Sequence, residues 1–122
     1  MTNLTPPAAN RFSPIRSVPL GAATLHFVSG VTAGDDAPYD IAEQTRIVFR
    51  RIGTVLEGAG SRLEDIVKIT VFLSDIREYA VYNAVRNEIF ATIDPPPASS
   101  GVEALLASPG KRVEIEAIAV SH

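Results

Sequence analysis

Two stretches of the chain place apolar residues at the 3.6-residue spacing of an amphipathic helix. In the first, apolar or small residues recur from Ile41 to Ala59 on one face, while arginines and glutamates occupy the other. Asp40 is the predicted N-cap of this helix, and Gly60 is the left-handed residue that ends it. Residues 79–89 repeat the helical spacing with two tyrosines, a valine and an isoleucine, and they predict a second helix.

Four other segments alternate apolar and polar residues with the two-residue period of a β-strand. They are residues 23–29, 67–73, 98–105 and 113–120. We expect Val67 to share a face of its strand with Ile69. Residues 61–64 (SRLE) match a capping box and predict a single helical turn before that strand.

Strands interrupted by two long helices predict an α+β fold, in which both helices cover one face of a single sheet. The length of 122 residues fits one domain, spanning 1–122. Residues 1–20 contain four prolines, so we expect them to form an extended arm with at most a short edge strand.

Composition narrows the possible chemistry. The chain has no cysteine, which excludes disulfides, thiolate catalysis and cysteine-ligated metals. His26 and His122 lack metal-ligand spacing, and we expect neither a metal nor a cofactor. The formal charge of -3 argues against a nucleic-acid partner, because phosphate binding needs a cationic surface.

The sequence also argues against a membrane partner. No stretch approaches the roughly 18 apolar residues of a membrane span. Residues 1–10 have neither the basic start nor the apolar run of a signal peptide. We therefore predict a cytoplasmic protein.

Glu114 is the most unusual residue by pattern, because it shares a strand face with Glu116, Ile118 and Val120. A carboxylate beside apolar surface can move a proton or orient a water molecule. A pair of solvated glutamates at a sheet end is the alternative.

Two other positions could contact a ligand. The polar segment Ser99-Ser100-Gly101 could hold an anion or form a simple loop. Asn83 could reach a ligand from the second helix or lie exposed on it.

Six segments together resemble the Rid family, the reactive intermediate deaminases. This family is also called YjgF, and some members carry the name perchloric-acid-soluble endoribonuclease-like proteins. The matching segments are residues 27–30 (FVSG), 40–46 (DIAEQTR), 63–73 (LEDIVKITVFL), 82–85 (YNAV), 102–103 (VE) and 113–120 (VEIEAIAV). Segments 63–73 and 113–120 are the most specific of them.

The resemblance implies a chorismate-mutase-like α+β fold that forms a homotrimer, with three clefts for a small metabolite between neighbouring subunits. In deaminating members, the cleft hydrolyses enamine or imine intermediates to 2-keto acids and ammonia. A glutamate of the last strand places the water, and backbone groups beside a Ser-Gly pair complete the pocket. An arginine in a Pro-Ala-Arg-Ser-Cys-Val-Glu segment binds the substrate carboxylate.

Carried over by position, this chain supplies the glutamate as Glu114, the Ser-Gly pair as Ser29-Gly30 and a helix asparagine as Asn83. It lacks the arginine, because Ser99 stands there, and Gly101 stands at the cysteine. A serine offers one weak donor where an arginine offers a charged fork.

Two functions follow from this resemblance. In the first, the protein is a divergent hydrolase of an imine, enamine or related metabolite. Glu114 then orients the water, and Ser99 and Ser100 contact a substrate that has no carboxylate at the usual place. We expect little activity on 2-iminobutyrate or 2-iminopropionate. A cation such as Arg16, Lys111 or Arg112 could substitute, although the sequence places none of them in the cleft. In the second, the trimer binds a small metabolite or a protein partner without catalysis.

Overall fold

A five-stranded sheet covered by two helices forms the protein, and the computed structural model describes residues 11–122 of it. The elements in chain order are β1 (Ile15–Leu20), β2 (Ala23–Val31), α1 (Ile41–Gly58), a 3-10 turn (Leu63–Asp65), β3 (Ile66–Leu73), a second 3-10 turn (Ile76–Glu78), α2 (Tyr79–Ile89), β4 (Ala98–Glu103) and β5 (Val113–Ser121).

The strand order is β1-β2-β5-β3-β4, so the last strand lies in the middle of the sheet. β5 is antiparallel to both of its neighbours, β2 and β3. β3 and β4 are parallel, and α2 lies in the connection between them. The α+β class predicted from the pattern of strands and helices is confirmed.

The core lies between α1 and the helix-facing side of the sheet. Phe49, Ile52 and Leu56 of α1 are buried against Ile69 and Ile115, which point inward from the two central strands. The Asp40 carboxylate accepts a hydrogen bond from the backbone amide of Glu43 at 2.9 Å, which confirms the predicted N-cap. Gly60 follows the helix with φ at +79°, a conformation that glycine adopts without strain.

Two local predictions are wrong. The Ser61 hydroxyl donates to the Asp65 carboxylate at 2.8 Å, and the intervening 3-10 turn has no side-chain cap. A capping box needs an α-helical first turn, whereas this turn ends after three residues and enters β3. Val67 does not share the buried face with Ile69, because the pairing of β3 with β5 shifts between Ile66 and Lys68 and leaves Val67 48% exposed.

The first and last described strands are joined through a buried histidine. His26 of β2 is hydrogen-bonded through Nδ1 to the Ser17 hydroxyl at 2.7 Å and through Nε2 to the Ser121 hydroxyl at 2.8 Å. These contacts hold β1 on β2 at the sheet edge. Residues 1–10 of the predicted arm lie outside the described residues, while Ile15–Leu20 forms the edge strand that the proline pattern allowed.

Candidate functional site

The face of the sheet that carries no helix holds Glu114. We call this the open face. The register of β2, β5, β3 and β4 places on it Phe27, Ile118, Thr70, Glu116, Phe72, Glu114, Ser100 and Val102. It is half apolar and half polar, as the alternation in residues 113–120 predicts.

The Glu114 carboxylate lies directly against Gly30. A β-carbon added at Gly30 would sit 2.5 Å from Oε2 of Glu114, so only glycine leaves room for the carboxylate there. The pairing of β2 with β5 is irregular between Val28 and Val31, which brings the Ser29-Gly30 backbone to this position. Glu114 is half-buried.

The space in front of this carboxylate is a hollow of about 350 Å³, which we call the Glu114 hollow. Its other walls are Phe72 from β3, Leu105 and Leu106 from the connection that follows β4, and a second carboxylate, that of Glu116. Leu105 is fully exposed. A second protein surface placed over this hollow would therefore bury apolar side chains around the Glu114 and Glu116 carboxylates.

Ser29 is engaged within the chain. Its hydroxyl donates to the Ser13 carbonyl at 2.6 Å, and its amide donates to the Pro14 carbonyl at 2.9 Å. These bonds fix the β2 backbone beside Gly30. Contact of Ser29 with a substrate stays a prediction.

Ser99 and Ser100 point to opposite sides of the sheet. Ser99 pairs with the buried Ile69 and belongs to the helix-facing side, whereas Ser100 pairs with Thr70 on the open face. The Ser100 hydroxyl accepts a hydrogen bond from the Lys68 ammonium group at 2.9 Å. The two serines therefore do not contact the same ligand within one chain.

Ser99 lies beside a group of α2 side chains that the sequence analysis missed, centred on Arg86. The Arg86 guanidinium is hydrogen-bonded to the side-chain oxygen of Asn83 and, at 3.4 Å, approaches the Ser99 hydroxyl. It also donates to Asn87 at 3.2 Å and stands over the Tyr82 ring, 5.7 Å from its centroid. We call Arg86, Asn83, Ser99, Tyr79 and Tyr82 the Arg86 cluster. The three-residue interval between Asn83 and Arg86, which places both on one helix face, was the available signal.

The Arg86 cluster is electrostatically unusual. Across residues 11–122, no carboxylate lies within 4.0 Å of the Arg86 guanidinium. The Tyr82 hydroxyl beneath it is buried and has no hydrogen-bond partner among the same residues. Burial raises the pKa of Tyr82 to about 12, against a smaller lowering effect of the nearby Arg86 charge. Tyr82 is therefore a neutral donor at physiological pH.

The sequence analysis considered three cationic residues as replacements for the missing arginine, and two of them pair with other side chains. Arg112 is bound to Glu78, which raises the pKa of Arg112, and it stacks 4.4 Å from the Tyr39 ring centroid. Lys111 lies 3.6 Å from Asp35. Arg16 projects from the edge strand β1.

Within the described part of the chain, no group of three or more His, Cys, Asp or Glu side chains could hold a metal ion. No helix there has the length and apolar character needed to cross a membrane.

A family model described as endoribonuclease L-PSP matches residues 2–121. The chain belongs to this family. The resemblance to Rid, or YjgF, proteins is thereby confirmed over nearly the whole sequence. The E. coli YjgF gene product has a solved structure that is 32% identical to this chain, with a TM-score of 0.80 over 96% of this chain and 93% of that one.

Relatives of this Rid protein carry several names. It is 43% identical over 101 residues to a Schizosaccharomyces pombe protein named mmf2, mitochondrial, covering 78% of this chain and 79% of the relative. It is 37% identical over 99 residues to a 2-iminobutanoate/2-iminopropanoate deaminase of Bos taurus, covering 77% of this chain and 71% of that enzyme.

The two β4 positions at which the resemblance implies a substitution, Ser99 and Gly101, both lie against side chains of α2. At Gly101, an added β-carbon would lie 2.8 Å from Cε2 of Tyr79, so the Tyr79 ring takes the room of a larger side chain. At Ser99, the neighbouring group is the Arg86 guanidinium. Tyr79 of α2 therefore lies against Gly101, and Arg86 of α2 lies beside Ser99.

Proposed function

We propose that this Rid-family protein hydrolyses an imine or enamine of a small metabolite, in clefts between the subunits of a homotrimer. The observation that carries the proposal is the Glu114 carboxylate, held against Gly30 at the wall of an apolar hollow. This is an arrangement suited to directing one water molecule at a bound substrate.

The reaction adds water across a C=N bond and releases ammonia. The imine nitrogen is protonated before attack, and Glu114 accepts a proton from the water as the water oxygen bonds to the carbon, which gives a neutral carbinolamine. The Glu114 carboxyl group then returns that proton to the nitrogen. As the C–N bond breaks, the carboxylate takes the hydroxyl proton and passes it to the departing ammonia, so a carbonyl compound and an ammonium ion leave. An enamine enters the same sequence after protonation of its carbon has produced the iminium ion.

The trimer is supported by the separation of the candidate residues. Glu114, Gly30 and Ser100 lie on the open face, whereas Asn83 and Ser99 lie on the helix-facing side. A metabolite that touches both groups needs them from two copies of the chain. Phe27 and Val102 are each 43% exposed on the open face, and a neighbouring subunit would cover them.

We expect low activity on 2-iminobutyrate and 2-iminopropionate, although relatives 37% identical are named for those substrates. Ser99 replaces the arginine that the family resemblance assigns to the substrate carboxylate. Loss of such a charged contact costs a few kcal/mol, or several powers of ten in turnover.

The test supplies imines enzymatically. Threonine dehydratase generates 2-iminobutyrate, and an amino-acid oxidase generates a panel of other imines, with semicarbazide trapping whatever persists. We expect faster loss of trapped product for at least one panel member and little acceleration with 2-iminobutyrate. Acceleration of 2-iminobutyrate hydrolysis equal to that of an arginine-bearing relative would contradict the low-activity prediction.

The decisive variant is Glu114→Ala, which should abolish turnover of the identified substrate. Glu57→Gln removes an exposed carboxylate at the end of α1 and should leave the rate unchanged. Unchanged turnover in Glu114→Ala would contradict the catalytic role. Light scattering should give about three times 13.0 kDa, and a monomer would refute the shared cleft.

The second candidate is a trimer that binds a metabolite or a protein partner without catalysis. The observation that favours it is Ser99 at the place of the family arginine. Saturable metabolite binding without turnover of any panel member would establish it. With a net charge of -3, we expect no nucleic-acid partner and no RNA cleavage. The cytoplasmic location remains our prediction, and the relative in fission yeast is named as mitochondrial.

A further inference from the structure

We propose that Arg86, supported by Asn83 and Ser99, forms an anion-binding subsite that holds a carboxylate of the substrate. This deepens the proposed function and rests on it, because it assigns a substrate class to the same cleft. The arginine that binds the carboxylate is then a residue of α2, whereas the resemblance places the family's arginine at the Ser99 position of β4.

The first support is the unmatched charge. Arg86 is half-buried, and its partners within the described chain are the neutral side chains of Asn83, Asn87, Ser99 and Tyr79. A partly desolvated guanidinium that contacts only neutral oxygens keeps most of its electrostatic attraction for an anion.

The second support is the space around the guanidinium. Arg86 and Ser99 line a hollow of about 710 Å³ between the end of α2 and the segment that precedes β4. Asn83 holds the guanidinium through its side-chain oxygen, so the fork of Arg86 is pre-oriented before a ligand arrives.

The charge balance of the hollow favours a carboxylate over a phosphate. Asp94 lines the same hollow, and its carboxylate would repel any bound anion, a dianionic phosphate about twice as strongly as a monoanionic carboxylate. A planar carboxylate also matches the fork of an arginine with two parallel hydrogen bonds.

The structural alternative is a helix-end cation. Arg86 lies in the last turn of α2, where a positive charge interacts favourably with the free carbonyl groups. An exposed side chain would serve that purpose equally well. A helix-end role does not explain why Arg86 is enclosed between Asn83, Ser99 and the Tyr82 ring.

A carboxylate anchored from α2 lies at a different position relative to Glu114 than one anchored from β4. Because a displacement of about 1 Å can cost 100-fold in rate, the low activity expected with 2-iminobutyrate is retained. The preferred substrate is then an imine or enamine whose carboxylate is spaced to reach Arg86.

The experiment is a titration of the ¹⁵N-labelled full-length protein, followed by NMR, with three probes: 2-oxobutyrate, inorganic phosphate and uncharged 2-butanone. We expect saturable shifts at Asn83, Arg86 and Ser99 with 2-oxobutyrate, weaker binding of phosphate and none of 2-butanone. In Arg86→Gln, the affinity for 2-oxobutyrate should fall at least about tenfold. Arg86→Lys should recover part of it.

Arg62→Gln is the matched control, because Arg62 is a 70% exposed arginine paired with Glu64 outside the hollow. It should bind 2-oxobutyrate as the wild type does. Equal affinity in Arg86→Gln, absence of saturable binding to the wild type, or tighter binding of phosphate would each overturn the proposal. A structural role alone predicts a lower melting temperature in Arg86→Gln with unchanged affinity.

Failure of this inference differs from failure of the proposed function. If Glu114-dependent hydrolysis is observed and Arg86→Gln leaves KM unchanged, the hydrolase stands and the anion subsite falls. If 2-oxobutyrate binds through Arg86 and no imine is hydrolysed, the subsite stands and the protein is a binding module.

Discussion

The Glu114 hollow and the Arg86 cluster lie on opposite faces of the same sheet and have opposite character. The first presents the carboxylates of Glu114 and Glu116 among otherwise apolar walls and opens toward any surface that covers the helix-free face. The second presents one guanidinium among neutral polar and aromatic groups at the end of α2. The strands β5, β3 and β4 separate them.

The difference indicates how the chemistry is divided. A carboxylate that directs water and a cation that holds an anionic substrate would neutralise each other if they were adjacent in an empty site. Keeping them on separate faces preserves both charges in each chain. In the proposed trimer, they come together where one copy presents its open face to the helix-facing edge of another.

Mixing two impaired variants tests this division most strongly. Glu114→Ala and Arg86→Gln homotrimers should each be impaired in turnover of the identified substrate. When they are unfolded together and refolded at equal amounts, about a quarter of the clefts should combine an intact Glu114 with an intact Arg86. Activity should therefore recover to about a quarter of the wild-type value.

Two controls accompany this mixing experiment. The two variants refolded separately and then combined should show no more activity than the separate variants if the trimers do not exchange subunits. No recovery after joint refolding into trimers would mean that Glu114 and Arg86 of one chain serve the same cleft, and the division between copies would be wrong.

Gly30→Ala tests the placement of the Glu114 carboxylate. The new β-carbon would meet Oε2 at 2.5 Å, so the carboxylate must rotate away, and we expect kcat/KM to fall about 10- to 100-fold. The fold should survive, because the displaced atoms are the far end of a flexible side chain. The measurements are steady-state kinetics and thermal unfolding.

Gly58→Ala is the matched control, since an added β-carbon there meets no atom within 4 Å. It should leave kcat/KM unchanged. A fully active Gly30→Ala variant would show that Glu114 needs no close contact with the β2 backbone. The assignment of a positioned catalytic carboxylate to the open face would then be wrong.

The titration of Tyr82 tests whether the Arg86 cluster excludes water. Its pKa of about 12 lies above the ordinary value of 10.0, because burial disfavours the tyrosinate. The unfolded chain therefore loses this proton first, and stability should decline between pH 10 and pH 12 by on the order of 2–3 kcal/mol. Denaturant unfolding across this range measures the decline.

Tyr82→Phe should remove that part of the pH dependence. At neutral pH it should leave stability unchanged or raise it by about 1 kcal/mol, because the Tyr82 hydroxyl has no partner within residues 11–122. Tyr39→Phe is the control, since Tyr39 is 68% exposed and its loss should not alter the decline. Titration of all tyrosines near pH 10 would contradict the dry environment.

The sequence pattern was most informative where structure depends on neighbouring residues. The Asp40 cap, the buried face of α1 and the alternation in β5 follow from local spacing, and the structure confirms them. The capping box at Ser61 failed although its residue types match, because the chain enters β3 before an α-turn can close.

The candidate site was predictable only in part. Glu114 was named from its strand pattern and Gly30 from the family resemblance, and the structure brings them into contact. The opposite directions of Ser99 and Ser100 depend on the register of β4 against β3, which distant residues determine. The position of Arg86 beside Ser99 depends on how α2 packs on β4, and no pattern within either element specifies it.

The central position of β5 has a consequence for synthesis of the protein. β5 pairs with both β2 and β3, so each half of the sheet lacks its inner partner until Val113–Ser121 is available. A nascent chain that ends before β5 exposes the edges of β2 and β3, and both edges can pair with other strands. The sheet is therefore complete only when β5 is present, and a chain truncated before Val113 should associate through the free edges of β2 and β3.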